Sequence, residues 1–163
     1  MPTLSSERRN IREYVSGFVD GEGCFSVSFS KRPKFIVGWE TKPSLAVSQN
    51  HDRAEPLFLM QSIFKCGFMR DGITDNTVKY EVRRLDDLIK KVIPHFERYP
   101  LLSSKYKDFL IFKKICLMMK RSEHRNLKGF KKILSLAIQM NSSGRRKYSE
   151  EYILNVLKFQ KLR

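Results

Sequence analysis

The stretch "YVSGFVDGEGCFSVSFS", residues 14–30, changes its hydrophobic period halfway along. Ile11, Tyr14, Val15, Phe18 and Val19 recur at helical spacing, so residues 9–22 read as an amphipathic helix. From Cys24 the pattern alternates strictly, Phe25, Val27 and Phe29 against Ser26, Ser28 and Ser30, as in a half-buried strand. Gly17 and Gly21 lie one turn apart on the helix, each costing about 1 kcal/mol relative to alanine. Close approach of another backbone would offset that cost. Two acids, Asp20 and Glu22, stand at the helix tip among three glycines.

Working outward, "KRPKFIVG" is a basic loop and "WETKPSLAVSQN", residues 39–50, resumes a strand. There Leu45 and Val47 oppose Lys42, Ser44 and Ser48, and Pro43 suggests a sheet edge or a bulge. "DRAEPLFLMQSIF" predicts a helix over 52–64, capped by Asp52, with Leu57, Met60 and Phe64 inward. Residues 68–84 predict a hairpin turning around Gly72–Asn76, with Val78, Tyr80 and Val82 alternating with Lys79, Glu81 and Arg83. Helices are then expected over "LDDLIKKVIPHF", closed by Pro94, over residues 99–121, over 126–141, and over 149–159 with Ser149 as cap. The expected fold is α+β, a mixed αββαββα arrangement in which one antiparallel sheet carries helices on one face and leaves the other open. One domain over 11–163 is expected, preceded by a flexible arm over 1–10.

The chain has 163 residues, 41% of them apolar, and a net charge of +15 from 32 Lys and Arg against 17 Asp and Glu. Such an excess points to a polyanionic partner, nucleic acid ahead of an anionic membrane surface. No apolar run reaches the ~20 residues of a membrane span, and the N-terminus has no signal-peptide region, so an intracellular protein is expected. Cys24, Cys66 and Cys116 are odd in number and far apart, which fits free thiols better than a zinc site.

The open sheet face is expected to present Ser26, Ser28, Ser30, Arg32, Lys42, Ser44, Arg70, Lys79, Glu81 and Arg83, with Lys34 in the adjoining loop. That surface is either an ordinary solvated face or a ribbon that reads the DNA major groove, where Arg and Lys meet guanine. Asp20 and Glu22 likewise have two readings: they offset nearby basic charge, or they hold a divalent cation able to activate water for phosphodiester cleavage. Gln49, Arg53 and Lys105 are weaker candidates for contact with a phosphate. The three histidines, His51, His95 and His124, have no metal-ligand spacing and receive no catalytic role. The eight basic residues within 113–132 read as a solvated face or a backbone-contacting patch.

"VSGFVDGEG", residues 15–23, resembles the nine-residue signature of the LAGLIDADG homing endonucleases, with Val15 for the leading Leu and Glu22 for the usual second Asp. "VSQNHDRAEPL" and "PHFERYPLLSSKYKDFLIFKK" resemble later blocks of intron-encoded members. The resemblance implies that the signature helix is a dimer interface, in which Gly17 and Gly21 let two backbones meet and Asp20 braces the partner helix. It implies Glu22 as metal ligand with the Gly21 carbonyl beside it, and Gln49, Arg53 and Lys105 as residues that order water or offset charge at the phosphate. A chain with one such motif is expected to act as a homodimer on a long pseudo-palindromic duplex. It would make double-strand breaks with Mg²⁺, which Mn²⁺ or Ca²⁺ could replace in the site. The implied setting is a bacterial cytoplasm or an organelle. Two alternatives share the fold: an intron maturase, whose partner would be RNA, and a non-catalytic DNA-binding regulator.

Overall fold

A computed structural model describes residues 4–160, with side chains from 10 to 157. The elements run α1 (Leu4–Glu22), β1 (Gly23–Lys31), β2 (Trp39–Asn50), α2 (Glu55–Phe64), β3 (Phe68–Asp71) and β4 (Thr77–Val82). They continue with α3 (Leu85–Asp87), a π turn (Leu88–Val92), α4 (Ile93–Arg98), α5 (Lys105–Lys120), α6 (Leu127–Ile138) and α7 (Glu150–Gln160). The expected α+β class and the helix–strand–strand repeat are present. The antiparallel sheet has the strand order β1-β2-β4-β3. Among the described residues, no helix is long and apolar enough to cross a membrane.

The chain forms two compact units. One takes the described part of 1–25 together with 44–106, the other 26–43 together with the described part of 107–163. In the first unit the register sets Leu45 opposite Val82, Val47 opposite Tyr80, and Met69 opposite Tyr80. Leu45, Val47, Tyr80 and Val82, with Leu57, Met60 and Phe64 of α2, form a core in which Phe25 meets Phe96 edge-on at 5.3 Å. Burying side chains of this kind contributes roughly 2–3 kcal/mol each. In the second unit Phe29 meets Phe130 at 5.5 Å and Trp39 meets Tyr148 at 5.1 Å. There the Arg146 guanidinium donates to the carbonyls of Val27, Ala137 and Met140, tying β1 to the end of α6.

Several expected boundaries shift, each for a local reason. Residues 4–10, expected in a flexible arm, are helical backbone continuous with the rest of α1, while residues 1–3 of that arm lie outside the described residues. Asp52 does not cap α2. It sits in a 3₁₀ turn (His51–Arg53) and pairs with Arg53 at 3.7 Å, and α2 starts after Ala54 with Pro56 in its first turn, where a missing N–H costs little. Pro94 does not close its helix. The preceding π turn, in which the Ile93 amide bonds back to Leu88, widens the chain enough for α4 to continue through the proline to Arg98. The helix expected from 99 begins only at Lys105. Pro43 lies past the end of the β2–β4 ladder, whose last pair is Leu45 with Val82. Ser149 caps α7 as expected, its hydroxyl accepting from the Tyr152 amide at 3.1 Å.

Candidate metal and nucleic-acid site

Helix α1 ends at Glu22 and strand β1 begins at the next residue, so the turn between them has no spare length. Gly23 makes that possible: a Cβ there would lie 2.8 Å from the Val19 carbonyl oxygen. Gly17 and Gly21 differ from it. Both face open space, with nothing within 4 Å of a built Cβ, and they continue a stripe with Tyr14 and Phe18. The Tyr14 and Phe18 rings stack at 6.2 Å, and Tyr14 is 51% exposed. On that side of the helix, which carries an exposed Tyr14, a half-exposed Phe18 and bare glycine backbone, no neighbour lies within 4 Å of the glycine positions among the described residues.

The two acids at the helix tip have separate fates. Asp20 accepts from the Leu102 amide at 3.0 Å, the Ser103 amide at 2.9 Å and the Ser103 hydroxyl, so both oxygens are engaged. Burial pushes its pKa up, but the Ser103 hydroxyl, the two amides and the nearby Lys105 outweigh that and hold it below the ordinary carboxylate value. These bonds hold residues 101–104 as an irregular segment, which explains the late start of α5. Asp20→Ala is expected to destabilise the chain by about 1–2 kcal/mol, given the worth of charged hydrogen bonds that remain partly exposed. A urea-unfolding midpoint checks this.

Glu22 is exposed and makes no hydrogen bond or ion pair among the described residues. It stands at the negative end of the helix dipole beside the final carbonyls, a place that favours a cation. Lys105, first residue of α5, reaches the same tip and donates from Nζ to the Val19 carbonyl at 3.0 Å. One free carboxylate with helix-end carbonyls suits a magnesium-like ion, which keeps several waters and binds phosphate oxygens as well. Among the described residues no group of three or more His, Cys, Asp and Glu is placed to hold a metal.

Gln49 is half-buried near the end of β2, opposite Val78, and Arg53 is exposed in the following 3₁₀ turn. Neither makes a hydrogen bond or ion pair with Glu22 among the described residues. The chain thus sets Lys105 beside Asp20 at the helix tip that carries Glu22, while Gln49 and Arg53 make no hydrogen bond or ion pair with these groups among the described residues.

Two residues at this helix carried no functional signal in the sequence. Ser16 donates to the Tyr99 carbonyl at 2.6 Å and so must accept from His95 Nε2 at 3.1 Å. His95 is therefore the neutral Nε2–H tautomer, and its buried Nδ1 has no hydrogen-bond partner among the described residues. Burial and the nearby Arg12 charge lower its pKa from 6.5 to about 4. The folded state thus resists a proton that the unfolded state accepts below pH 6.5, and stability is lost as pH falls from there toward 4. The shift is worth up to about 3 kcal/mol. Thermal melts at pH 7 and pH 4.5 should show a smaller drop for His95→Gln than for the parent chain, since glutamine keeps the donor to Ser16 and cannot titrate.

Of the residues expected on the open sheet face, all but two are exposed or half-exposed in their own unit. Ser28, Arg32, Lys34, Lys42, Arg70 and Arg83 are exposed, and Ser26, Ser30 and Lys79 are half-exposed. Ser44 and Glu81 point to the outward side but are buried, at 7% and 5% exposure. The reason is local. The Ser44 hydroxyl donates to Glu81 at 2.8 Å, and Arg83 and Arg70 fold over the carboxylate at 2.9 and 3.6 Å.

Residues 15–116 match the family model described as LAGLIDADG endonuclease. A probable intron-encoded endonuclease of Neurospora crassa is 33% identical over 129 residues, covering 78% of this chain and 28% of the relative. Across the first fungal relatives the chain spans between 24% and 47% of their length. Among solved structures, the homing endonuclease I-TnaI superposes with a TM-score of 0.79 at 33% identity, covering 91% of this chain and 96% of that one. The archaeal intron-encoded homing endonuclease I-Vdi141I, complexed with DNA, gives 0.87 at 25% identity, covering 96% and 99%. The family match begins at the first residue of the signature, so the helix tip with one tied and one free acid lies inside it, and the chain belongs to the LAGLIDADG endonuclease family.

Proposed function

We propose that this chain is an intron-encoded homing endonuclease that cuts both strands of a long, nearly palindromic duplex as a homodimer. The observation that carries the reading is the division between the two acids of the signature: Asp20 is consumed by its own chain, while Glu22 is left free at an exposed helix tip. The open stripe of Gly17 and Gly21 supports pairing of two such helices, which would bring two Glu22 carboxylates side by side on a two-fold axis. Each chain supplies only part of a metal shell, and pairing would complete it.

Magnesium bound there would activate water and stabilise the leaving oxygen of the phosphodiester. Glu22 and the Gly21 carbonyl would hold the ion, with Mn²⁺ or Ca²⁺ as substitutes. Lys105, anchored on the Val19 carbonyl, would set its ammonium near the phosphate and oppose the charge that builds on it. Gln49, near the end of β2, and Arg53, in the turn that follows it, would meet the water and phosphate once DNA is seated. The exposed Arg and Lys of the sheet would contact the duplex, and affinity should fall steeply with salt.

The test is a selection from randomised duplexes incubated with purified protein, in Mg²⁺ and in EDTA. Sequence-specific double-strand cuts in Mg²⁺ alone are the expected result. Tight binding without a cut under any divalent ion would reject the nuclease reading.

A further inference from the structure

Glu81 is anomalous on a surface meant for a polyanion. It lies on the outward face of β4, with Ala46 and Phe68 directly opposite in the register and Arg70 two pairs along. Its Oε1 takes the Ser44 hydroxyl at 2.8 Å and Arg83 Nε at 2.9 Å, and its Oε2 faces Arg70 Nη2 at 3.6 Å. The Arg83 guanidinium also lies over the Phe68 ring at 5.4 Å. The arginine side chains remain 53% and 51% exposed while that of Glu81 is 6% exposed.

A carboxylate can read cytosine directly by accepting from its amino group. Glu81 is too buried for that: Oε1 is taken by Ser44 and Arg83, while the buried Oε2 makes no hydrogen bond among the described residues and lies only within ion-pair range of Arg70. A buried ion pair is also weak as a source of stability, because desolvation consumes most of its Coulomb gain. What the arrangement does is immobilise guanidinium groups. Arg83 is held through Nε and by a ring, and among the described residues neither of its terminal nitrogens makes a hydrogen bond, which leaves the fork that meets guanine O6 and N7. The second unit repeats the device: Glu40 Oε2 takes Arg32 Nε at 2.9 Å, Lys42 at 3.4 Å and the Ser30 hydroxyl at 3.3 Å.

We infer that Glu81 is a positioning residue for DNA sequence readout: it fixes Arg70 and Arg83 on the open sheet face and does not itself touch DNA. The inference rests on the DNA-binding reading above and names the residue that would set its selectivity. Removing the carboxylate charge frees the arginines to swing, so base preference loosens while general attraction to DNA is kept or increased.

The experiment is a binding selection on randomised duplexes in Ca²⁺, with the full chain, for wild type, Glu81→Gln, Arg70→Ala and Arg83→Ala. Glutamine keeps the size of the side chain and the acceptor for Ser44, and a thermal melt verifies that the variant folds. Glu81→Gln is expected to lose about tenfold in preference at particular base pairs, the same pairs that loosen in Arg70→Ala or Arg83→Ala. Its affinity for random-sequence duplex should hold or rise. Should Glu81→Gln not fold, Arg83→Lys keeps the charge, loses the fork, and should loosen the same pairs. An unchanged base preference in Glu81→Gln, or loosening only at pairs that both arginine variants leave intact, overturns the inference while the DNA reading stands. A wild type with no base preference overturns both.

Discussion

Glu22→Gln will lower Mg²⁺-dependent cleavage by about a thousandfold and leave DNA affinity near the wild-type value. A metal ion contributes several kcal/mol to stabilising a phosphodiester transition state, and each 1.36 kcal/mol is a factor of ten in rate. Glutamine preserves the length and a carbonyl oxygen but removes the charge that draws a hard cation to the helix end. Folding should not change, because Glu22 is exposed and makes no hydrogen bond or ion pair among the described residues. The same substitution at Asp20 acts differently: Asp20→Asn weakens the anchoring of residues 102 and 103 and shows first in the unfolding midpoint. Single-turnover cleavage rates and melting curves of the two variants, side by side, separate the proposed metal ligand from the structural acid.

Gly17→Leu should have effects of opposite sign on the chain and on its assembly. Within one chain a side chain at Gly17 meets nothing within 4 Å, and replacing a helical glycine gains about 1 kcal/mol. The isolated chain should therefore melt no lower than wild type. Between two chains the same side chain would stand where backbones would meet, and self-association together with double-strand cleavage should fall at least about thirtyfold, since overpacking a close interface typically costs about 1–3 kcal/mol and two-fold symmetry applies that cost twice. Sedimentation velocity measures the association and a melt measures the fold. A variant that dimerises normally would remove α1 from the interface.

The difference between what was legible in the sequence and what was not follows the range of the interactions. The helix-to-strand change at residues 22–24 is visible because both periods are local, and β1 alternates in the structure as it does in the letters. The tip acids were visible as a pair, but nothing nearby in the chain says which is consumed: Asp20 is tied by residues 82 and 83 positions away. His95 reaches Ser16 across 79 positions, so a residue without any motif braces the signature helix. The outward parity of Ser44 and Glu81 was legible, while their burial depends on two arginines folding back over them. Pro94 misleads for a different reason. A proline ends a regular helix, and only a π turn, which no local pattern announces, lets one continue.

The central claim joins two propositions, that two chains share one duplex and that Glu22 holds the ion at their contact. Native mass spectrometry of the protein with its selected duplex in Ca²⁺ addresses both in one measurement. The account predicts two chains per duplex with bound calcium for wild type, and two chains per duplex with the calcium lost for Glu22→Gln. One chain per duplex, or calcium retained in full by the Glu22→Gln complex, would contradict it.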